Sequence, residues 1–429
     1  MQLHELYNIY RQFPKVNTDT RKDLTGSIFF CLKGPNFDAN TFADEALAKG
    51  AAHVVTDAAE HKGKANMTYV TDVLKALQEL AALHRNNFTF PVIGLTGSNG
   101  KTTNKELIAA VLETKYRTFY TKGNLNNHIG VPLTLLEIPL DAEMAVVEMG
   151  ANHIGEIRDL CKISNPDYGL ITNIGKAHLE GFGGVEGVIK GKKEIFDHIE
   201  RNGGKVFVNG DDPIITELSK NMDRILYGKT SPEYYVSGEI VASTPFISFS
   251  YSRKGYTGPE IKTRLVGSYN FCNLMAAVCI GLYFGVNDEK IAKALESYIP
   301  TNHRSQLLKT SKNEIILDAY NANPSSMDAA IENLQAQKSK IKYALLGEMR
   351  ELGVTGPEEH QLLIDKLKSL GLGAMLVGEG YKLCDKKDFQ WFENSTDLMD
   401  YLRKNPIENA LILLKGSRAV AMEKVVEVL

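Results

Sequence analysis

Apolar residues gather in short runs along the chain, some contiguous and some at helical spacing. Residues 27–32 and 53–56 are contiguous runs and read as buried strands. Between them, 41–49 reads as a short helix ended by Gly50. Residues 73–87 are amphipathic at helical spacing and lead into the linker Phe88-Thr89-Phe90-Pro91. Further strands are expected at 92–96, 145–148, 168–174, 205–209, 314–318, 343–347, 374–377 and 410–415, with helical spacing at 105–112 and 185–199. Residues 233–266 alternate and are rich in turn residues, as a β-meander would be.

A chain of 429 residues is too long for one ordinary core. The pattern divides it into three α/β domains. A small N-terminal domain covers 1–90. A central parallel-sheet domain covers 91–299. A C-terminal Rossmann-like domain covers 300–429, where strands alternate with helices and imply a largely parallel sheet. No G-x-G-x-x-G follows the first strand of that third domain, so dinucleotide binding has no support there.

Composition narrows the function classes. A net charge of −3 argues against a general nucleic-acid binder, which would carry a basic face. No stretch approaches the ~20 apolar residues of a membrane span, and the first residues lack the basic and apolar regions of a signal peptide. Cys31, Cys161, Cys272, Cys279 and Cys384 are scattered, odd in number and without a C-x-x-C pair, which points to core thiols in a reducing compartment. A soluble, cytoplasmic monomer is expected.

The chemistry centres on Thr96-Gly97-Ser98-Asn99-Gly100-Lys101-Thr102-Thr103, between an apolar strand and a helical stretch. Strand, glycine loop and helix form the context of a phosphate-binding loop. The glycines let backbone N–H groups face an anion, and the helix N-terminus adds positive potential. Lys101 can reach the β- and γ-phosphates, and Thr102 can give its hydroxyl to Mg²⁺. Glu148 ends a strand and is placed to hold that ion. Asn124, Asn126 and Asn127 offer neutral donors and acceptors, or else form an Asx turn ahead of a helix begun near Pro132. His178 precedes an amphipathic segment carrying Lys190, Lys192 and Lys193, which by composition alone is a solvated face.

The loop is shorter than the common form, since Leu95 stands where the usual first glycine would be. In this form it resembles that of the Mur ligase family, ATP-dependent ligases that join amino acids to a cell-wall precursor. Other strings fall in the family's order over essentially the whole chain. Asp19-Thr20-Arg21 resembles D-[ST]-R, and Lys33-Gly34-Pro35-Asn36-Phe37-Asp38-Ala39 resembles K-G-x-x-F-D-[GA]. Gly123-Asn124-Leu125-Asn126-Asn127-His128-Ile129-Gly130-Val131-Pro132 and Tyr320-Asn321-Ala322-Asn323-Pro324-Ser325-Ser326 resemble the subgroup that adds D-alanyl-D-alanine.

The resemblance implies an ATP-dependent acid–amino-acid ligase acting on UDP-MurNAc-tripeptide and D-Ala-D-Ala, with two Mg²⁺ ions. It assigns Thr20, Arg21, Phe37 and Asp38 to the UDP end of the substrate. It gives a second Mg²⁺ to Glu148, His178 and a carbamylated Lys192, with Lys190 and Lys193 as rival lysines. An ammonium beside two cations is repelled, whereas a carbamate is a long-armed carboxylate that can ligate metal. Asn270, Asn273 and Arg304 are implied to orient ATP, and Asp318 and Tyr320 to contact nucleotide and intermediate. Asn321, Asn323 and Ser325 are implied to meet the dipeptide. Lys415, Ser417 and Arg418 are implied to complete the closed site.

Three alternatives have distinct marks. A ligase adding a single amino acid would carry other acceptor motifs, such as Asp-Asn-Pro-Arg, which is absent. A folylpolyglutamate synthase would have two domains and lack the UDP-type loops. A non-ligating nucleotide switch would hydrolyse ATP without an acceptor. The chain departs from the family pattern at Asn40 and at Glu348-Met349-Arg350.

Overall fold

The computed structural model describes residues 3–229, 231–301 and 303–429. Helix α1 (Leu3–Gln12) and helix α2 (Val73–Arg85) flank a four-stranded sheet built from Val16–Asn17, Ile28–Phe30, His53–Thr56 and Met67–Tyr69, all parallel. Asp72 starts α2 by accepting from Lys75 N at 2.9 Å. The segment expected as one helix over 41–49 is a 3₁₀ turn, Ala39–Phe42, running into Ala43–Ala48. The polar stretch at 33–38 is a two-stranded hairpin.

The central sheet has ten strands. Strand β1 (Val92–Thr96) is entirely buried and leads through the glycine loop to helix α3 (Lys101–Leu112). The chain then runs outward through Thr118–Tyr120 and helix α4 (Gly130–Leu136), and returns by strand β2 (Met144–Glu148) beside β1. Strand β3 (Tyr168–Ile171) pairs with the opposite edge of β1. The direction of winding therefore reverses at β1, and a crevice opens beyond the carboxyl ends of β1, β2 and β3. Strand β3 stops at Ile171, so the expected strand residues 172–174 lie in the crevice loop. Helix α5 (Val185–Arg201) covers the sheet. The expected meander is present as Val236–Ala242, Ser248–Arg253, Tyr256–Thr257 and Ile261–Lys262, and it extends this sheet. Helix α6 (Phe271–Tyr283), apolar on nearly all sides, packs on α3.

The third sheet has six strands in the order Gln306–Lys309, Glu314–Asp318, Leu411–Lys415, Lys342–Gly347, Gly373–Val377 and Gln390–Phe392. All neighbours are parallel except the first pair. The fold is thus mixed α/β in three domains, with the third sheet presenting the carboxyl ends of its middle strands to the crevice. One apolar core runs unbroken from the N-terminal domain into the central one, joining Leu6, Tyr10 and Leu77 to Val131, Leu135 and Ala145. No helix among the described residues is long and apolar enough to cross a membrane.

Candidate active site

The phosphate loop is held by close approach. Gly97 has φ +148°, and a Cβ there would sit 2.0 Å from Thr172 Oγ1. Gly100 caps α3 at φ +75°. Asn99 is clamped by the end of β3: Thr172 Oγ1 and Asn173 Nδ2 donate to its carbonyl at 2.6 and 3.0 Å, and its N–H donates to Asn173 Oδ1 at 3.0 Å. Lys101 folds back on the loop, Nζ donating to Gly97 O at 2.7 Å and Ser98 O at 3.1 Å. Burial pushes its pKa down to about 8, partly countered by Glu148.

Glu148, 1% exposed, sits at the end of β2 beside the loop. Its Oε1 accepts from Asn126 Nδ2 at 2.8 Å and Thr102 Oγ1 at 3.3 Å. Its Oε2 is buried without a hydrogen-bond partner. A carboxylate oxygen left bare beside a threonine hydroxyl fits a hard cation, which would supply the missing charge. No cluster of three or more His, Cys, Asp or Glu side chains that could hold a metal occurs among the described residues.

Lys192 is the buried member of the three lysines. It shares a helix face with Val188, Ile195 and Ile199, and is 0% exposed. Its Nζ donates to Ala151 O at 3.1 Å and lies 5.0 Å from the Phe182 ring centre. Burial holds its pKa well below the usual lysine range, with Lys101 adding to the effect. Lys190 is exposed, and Lys193 pairs with Asp197. A neutral amine is the form that reacts with CO₂, so this environment suits the implied carbamate.

A cavity of about 1230 Å³ spans the crevice. From the central domain it is lined by Ser98 to Thr103, Asn126, Asn127, Glu148, His178, Asn270 and Asn273. From the third it is lined by Arg304, Asp318, Tyr320, Asn321, Asn323, Ser325 and Lys415. Asn127 spends its Oδ1 on Ile129 N and Gly130 N, at 3.1 and 2.8 Å, in an Asx turn just ahead of α4. Asn270, Asn273 and Asn104 form a buried chain of amides behind Gly100, with Asn104 Nδ2 donating to Asn273 Oδ1 at 2.6 Å. Arg304 stacks on Tyr320 at 3.8 Å, with its Nε buried and unpartnered. Asp318 Oδ2 accepts from the buried Lys415 at 2.5 Å.

The third domain closes directly on the loop. Asn323 Nδ2 donates to Asn99 Oδ1 at 2.8 Å, and Lys176 N donates to Ser325 Oγ at 2.9 Å. Lys176 Nζ also reaches Glu359 at 2.6 Å.

Other expected site residues lie elsewhere. Thr96 and Gly97 are behind the loop, Lys192 is behind the wall formed by Ala151, and Asn124 is exposed outside the cavity. Ser417 is buried and donates to Glu348 O, and Arg418 flanks Tyr320 at 5.5 Å. Thr20, Arg21, Phe37 and Asp38 do not line the cavity. Arg21 pairs with Asp19, Asp38 with Lys33, and Phe37 is 58% exposed. Residues not singled out from sequence include Asn104, Thr172, Asn173, Tyr269, Lys176 and Glu351. Asn173 had a usable signal, since it follows a buried strand parallel to the loop strand.

Two family descriptions match this layout: "Mur ligase middle domain" over residues 95–281 and "Mur ligase, glutamate ligase domain" over 303–418. The chain belongs to the Mur ligase family. The Bacillus subtilis UDP-N-acetylmuramoyl-tripeptide–D-alanyl-D-alanine ligase is 36% identical, over 96% of this chain and 92% of its own. The crystal structure of MurF from Acinetobacter baumannii superposes with a TM-score of 0.88 at 30% identity, covering 99% of this chain and 98% of that one. The MurF ligase from Thermotoga maritima, solved in complex with ADP, gives 0.85 at 27% identity, with 97% of each chain covered. In this Mur ligase the matched middle segment carries the phosphate loop, and the matched C-terminal segment carries the residues that close over it.

Proposed function

We propose that this Mur ligase joins D-alanyl-D-alanine to UDP-N-acetylmuramoyl-tripeptide, using ATP, in the cytoplasm. The observation that carries the reading is the cavity between two walls. One wall is a phosphate loop with Lys101; the other is the Asn321, Asn323 and Ser325 segment, docked on that loop through Asn99. Similarity at nearly full length to relatives named for this reaction supports the same acceptor.

In the first step a carboxylate oxygen of the tripeptide attacks the γ-phosphorus of ATP. The P–O bond to ADP breaks and an acyl phosphate forms. The dipeptide amine then attacks the acyl carbon, the C–O bond to phosphate breaks, and the nitrogen loses a proton. Both partners of the first step are anions, so positive charge must offset their repulsion. Lys101, once it turns from its own loop carbonyls to phosphate, supplies one charge, and Arg304 faces the same cavity. Thr102 and Glu148 would hold one Mg²⁺, and Glu148, His178 and carbamylated Lys192 a second; bound there, the ions would neutralise developing charge. The carbamate forms when the neutral Lys192 amine bonds to CO₂ and releases a proton. Asn270 and Asn273 orient the nucleotide from beneath the loop. The N-terminal loops at Thr20, Arg21, Phe37 and Asp38 meet the UDP end, beyond the cavity. The chain acts as a monomer, which light scattering would check.

The test is phosphate release from ATP and Mg²⁺ with UDP-MurNAc-tripeptide, with and without D-Ala-D-Ala. Release that needs both, with a product heavier by the dipeptide, is expected. Release supported by a single amino acid instead would keep the family and replace the acceptor. Hydrolysis indifferent to both substrates would overturn ligation.

A further inference from the structure

Arg304 enters the cavity from a turn that its backbone does not favour. His303 and Ser305, on either side of it, hold positive φ, +52° and +49°, a region that L residues seldom occupy unless their surroundings fix them. The fixing is visible at Ser305, which is buried. Its N–H donates to Asp318 Oδ1 at 3.2 Å, while Asp318 Oδ2 is taken by Lys415. Its hydroxyl is hydrogen-bonded to the hydroxyl of Tyr269 at 2.8 Å. The first contact lies within the third domain. The second crosses to the central domain, where Tyr269 belongs to the 3₁₀ turn Ser268–Asn270 ahead of α6. The Tyr269 ring lies against Gly267, at φ +94°, where a Cβ would sit 2.3 Å from the ring Cε1, so glycine makes the room for it.

The guanidinium of Arg304 rests on Tyr320, and its Nε is buried without a partner. Burial is the main cause of the low Lys101 pKa; Glu148 counters it and Arg304 adds to it, so the guanidinium is within electrostatic reach of the phosphate loop. A cation already aimed there offsets phosphate charge without reorganising. We propose that Tyr269 is a positioning residue for Arg304: its phenol holds the Ser305 hydroxyl across the domain boundary and so keeps the left-handed turn that aims the guanidinium at the loop. The proposal rests on the reading of the cavity as the ATP site.

The test is calorimetric titration of the full chain, with Mg²⁺ and UDP-MurNAc-tripeptide present, by ADP and by a non-hydrolysable ATP analogue. A guanidinium aimed at the loop favours the nucleotide with the extra phosphate, so the ratio of the two affinities reports its aim. A contact with the base, or a merely structural role, moves both alike. Tyr269→Phe, which keeps the ring, is expected to weaken the analogue about ten-fold and ADP by less than about two-fold. Ser305→Ala removes the same hydrogen bond from the other side, and the double variant should be no weaker than either single one. In an Arg304→Ala background, Tyr269→Phe should add nothing. Unchanged binding of the analogue in Tyr269→Phe overturns the proposal, as does an equal loss for both nucleotides or an undiminished loss in the Arg304→Ala background. If the unaltered chain binds neither nucleotide, the ATP reading fails and the proposal with it. If Arg304→Ala weakens the analogue and Tyr269→Phe does not, only the Tyr269 proposal fails.

Discussion

At the joint with the N-terminal domain, Tyr7, Tyr10, His84, Phe88 and Phe90 stack in a line, with successive ring centres 4.7 to 5.9 Å apart. The joint with the third domain instead rests on amides, hydroxyls and ion pairs: Asn323 to Asn99, Lys176 to Ser325 and Glu359, His178 to Glu351. In the first, polar atoms serve the seal, as Tyr10 and His84 donate to Leu136 O and Ile138 O at 2.7 Å. In the second, a small apolar patch from Leu179, Phe182 and Val188 joins the third domain's core, and polar groups surround the cavity. Buried aromatic area is costly to expose, whereas exposed hydrogen bonds exchange readily with water. The first joint is therefore expected to stay shut and the second to open and close around substrates.

The largest expected effect breaks the first joint. Tyr10→Ala removes a buried ring and its hydrogen bond, and should cost about 3–5 kcal/mol of stability in chemical denaturation. Turnover per folded molecule should stay within about two-fold. Asn323→Asp sharpens the contrast at the second joint. Aspartate caps the helix Pro324–Ala336 as well as asparagine does, so stability should hold, but the donor to Asn99 is lost. Ligation should fall about ten-fold, the equivalent of roughly 1.4 kcal/mol for one hydrogen bond.

Acid should loosen the first joint before the second. Burial lowers the His84 pKa below the 6.5 of an exposed imidazole. The unfolded chain therefore takes up the proton first as pH falls. The contribution of His84 is complete above about pH 6.5 and is lost as pH drops below it. The slope of stability against pH in that window should shrink in His84→Gln, measured by urea titration. The smallest effect is a control: Lys366→Ala, at an exposed pair with Asp328 and Glu332, should change stability by less than about 0.5 kcal/mol and leave ligation unchanged.

Local pattern made the phosphate loop and Glu148 legible, because strand, glycine turn and helix are adjacent in sequence. The burial of Lys192 was not legible in this way: by composition its segment is a solvated face, and only the folded helix puts it on one stripe with Val188, Ile195 and Ile199. Asn127 is a second such case, since an asparagine that forms an Asx turn and one that faces a ligand look alike in sequence. Glu351, Tyr269 and Lys176 carried no local mark. Their places depend on two domains meeting, with Glu351 some 170 residues from His178 in the chain. The hairpin at 33–38 has no legible strand pattern because its strands are two residues each.

The most direct test of the two-joint account is a pair of distance measurements by electron–electron double resonance. Labels would replace the exposed Lys62, Lys220 and Lys404, one in each domain. Addition of a non-hydrolysable ATP analogue with UDP-MurNAc-tripeptide should shift and narrow the 220–404 distribution and leave the 62–220 distribution unchanged. A 62–220 distance that moves, or a 220–404 distance that stays fixed, would contradict it.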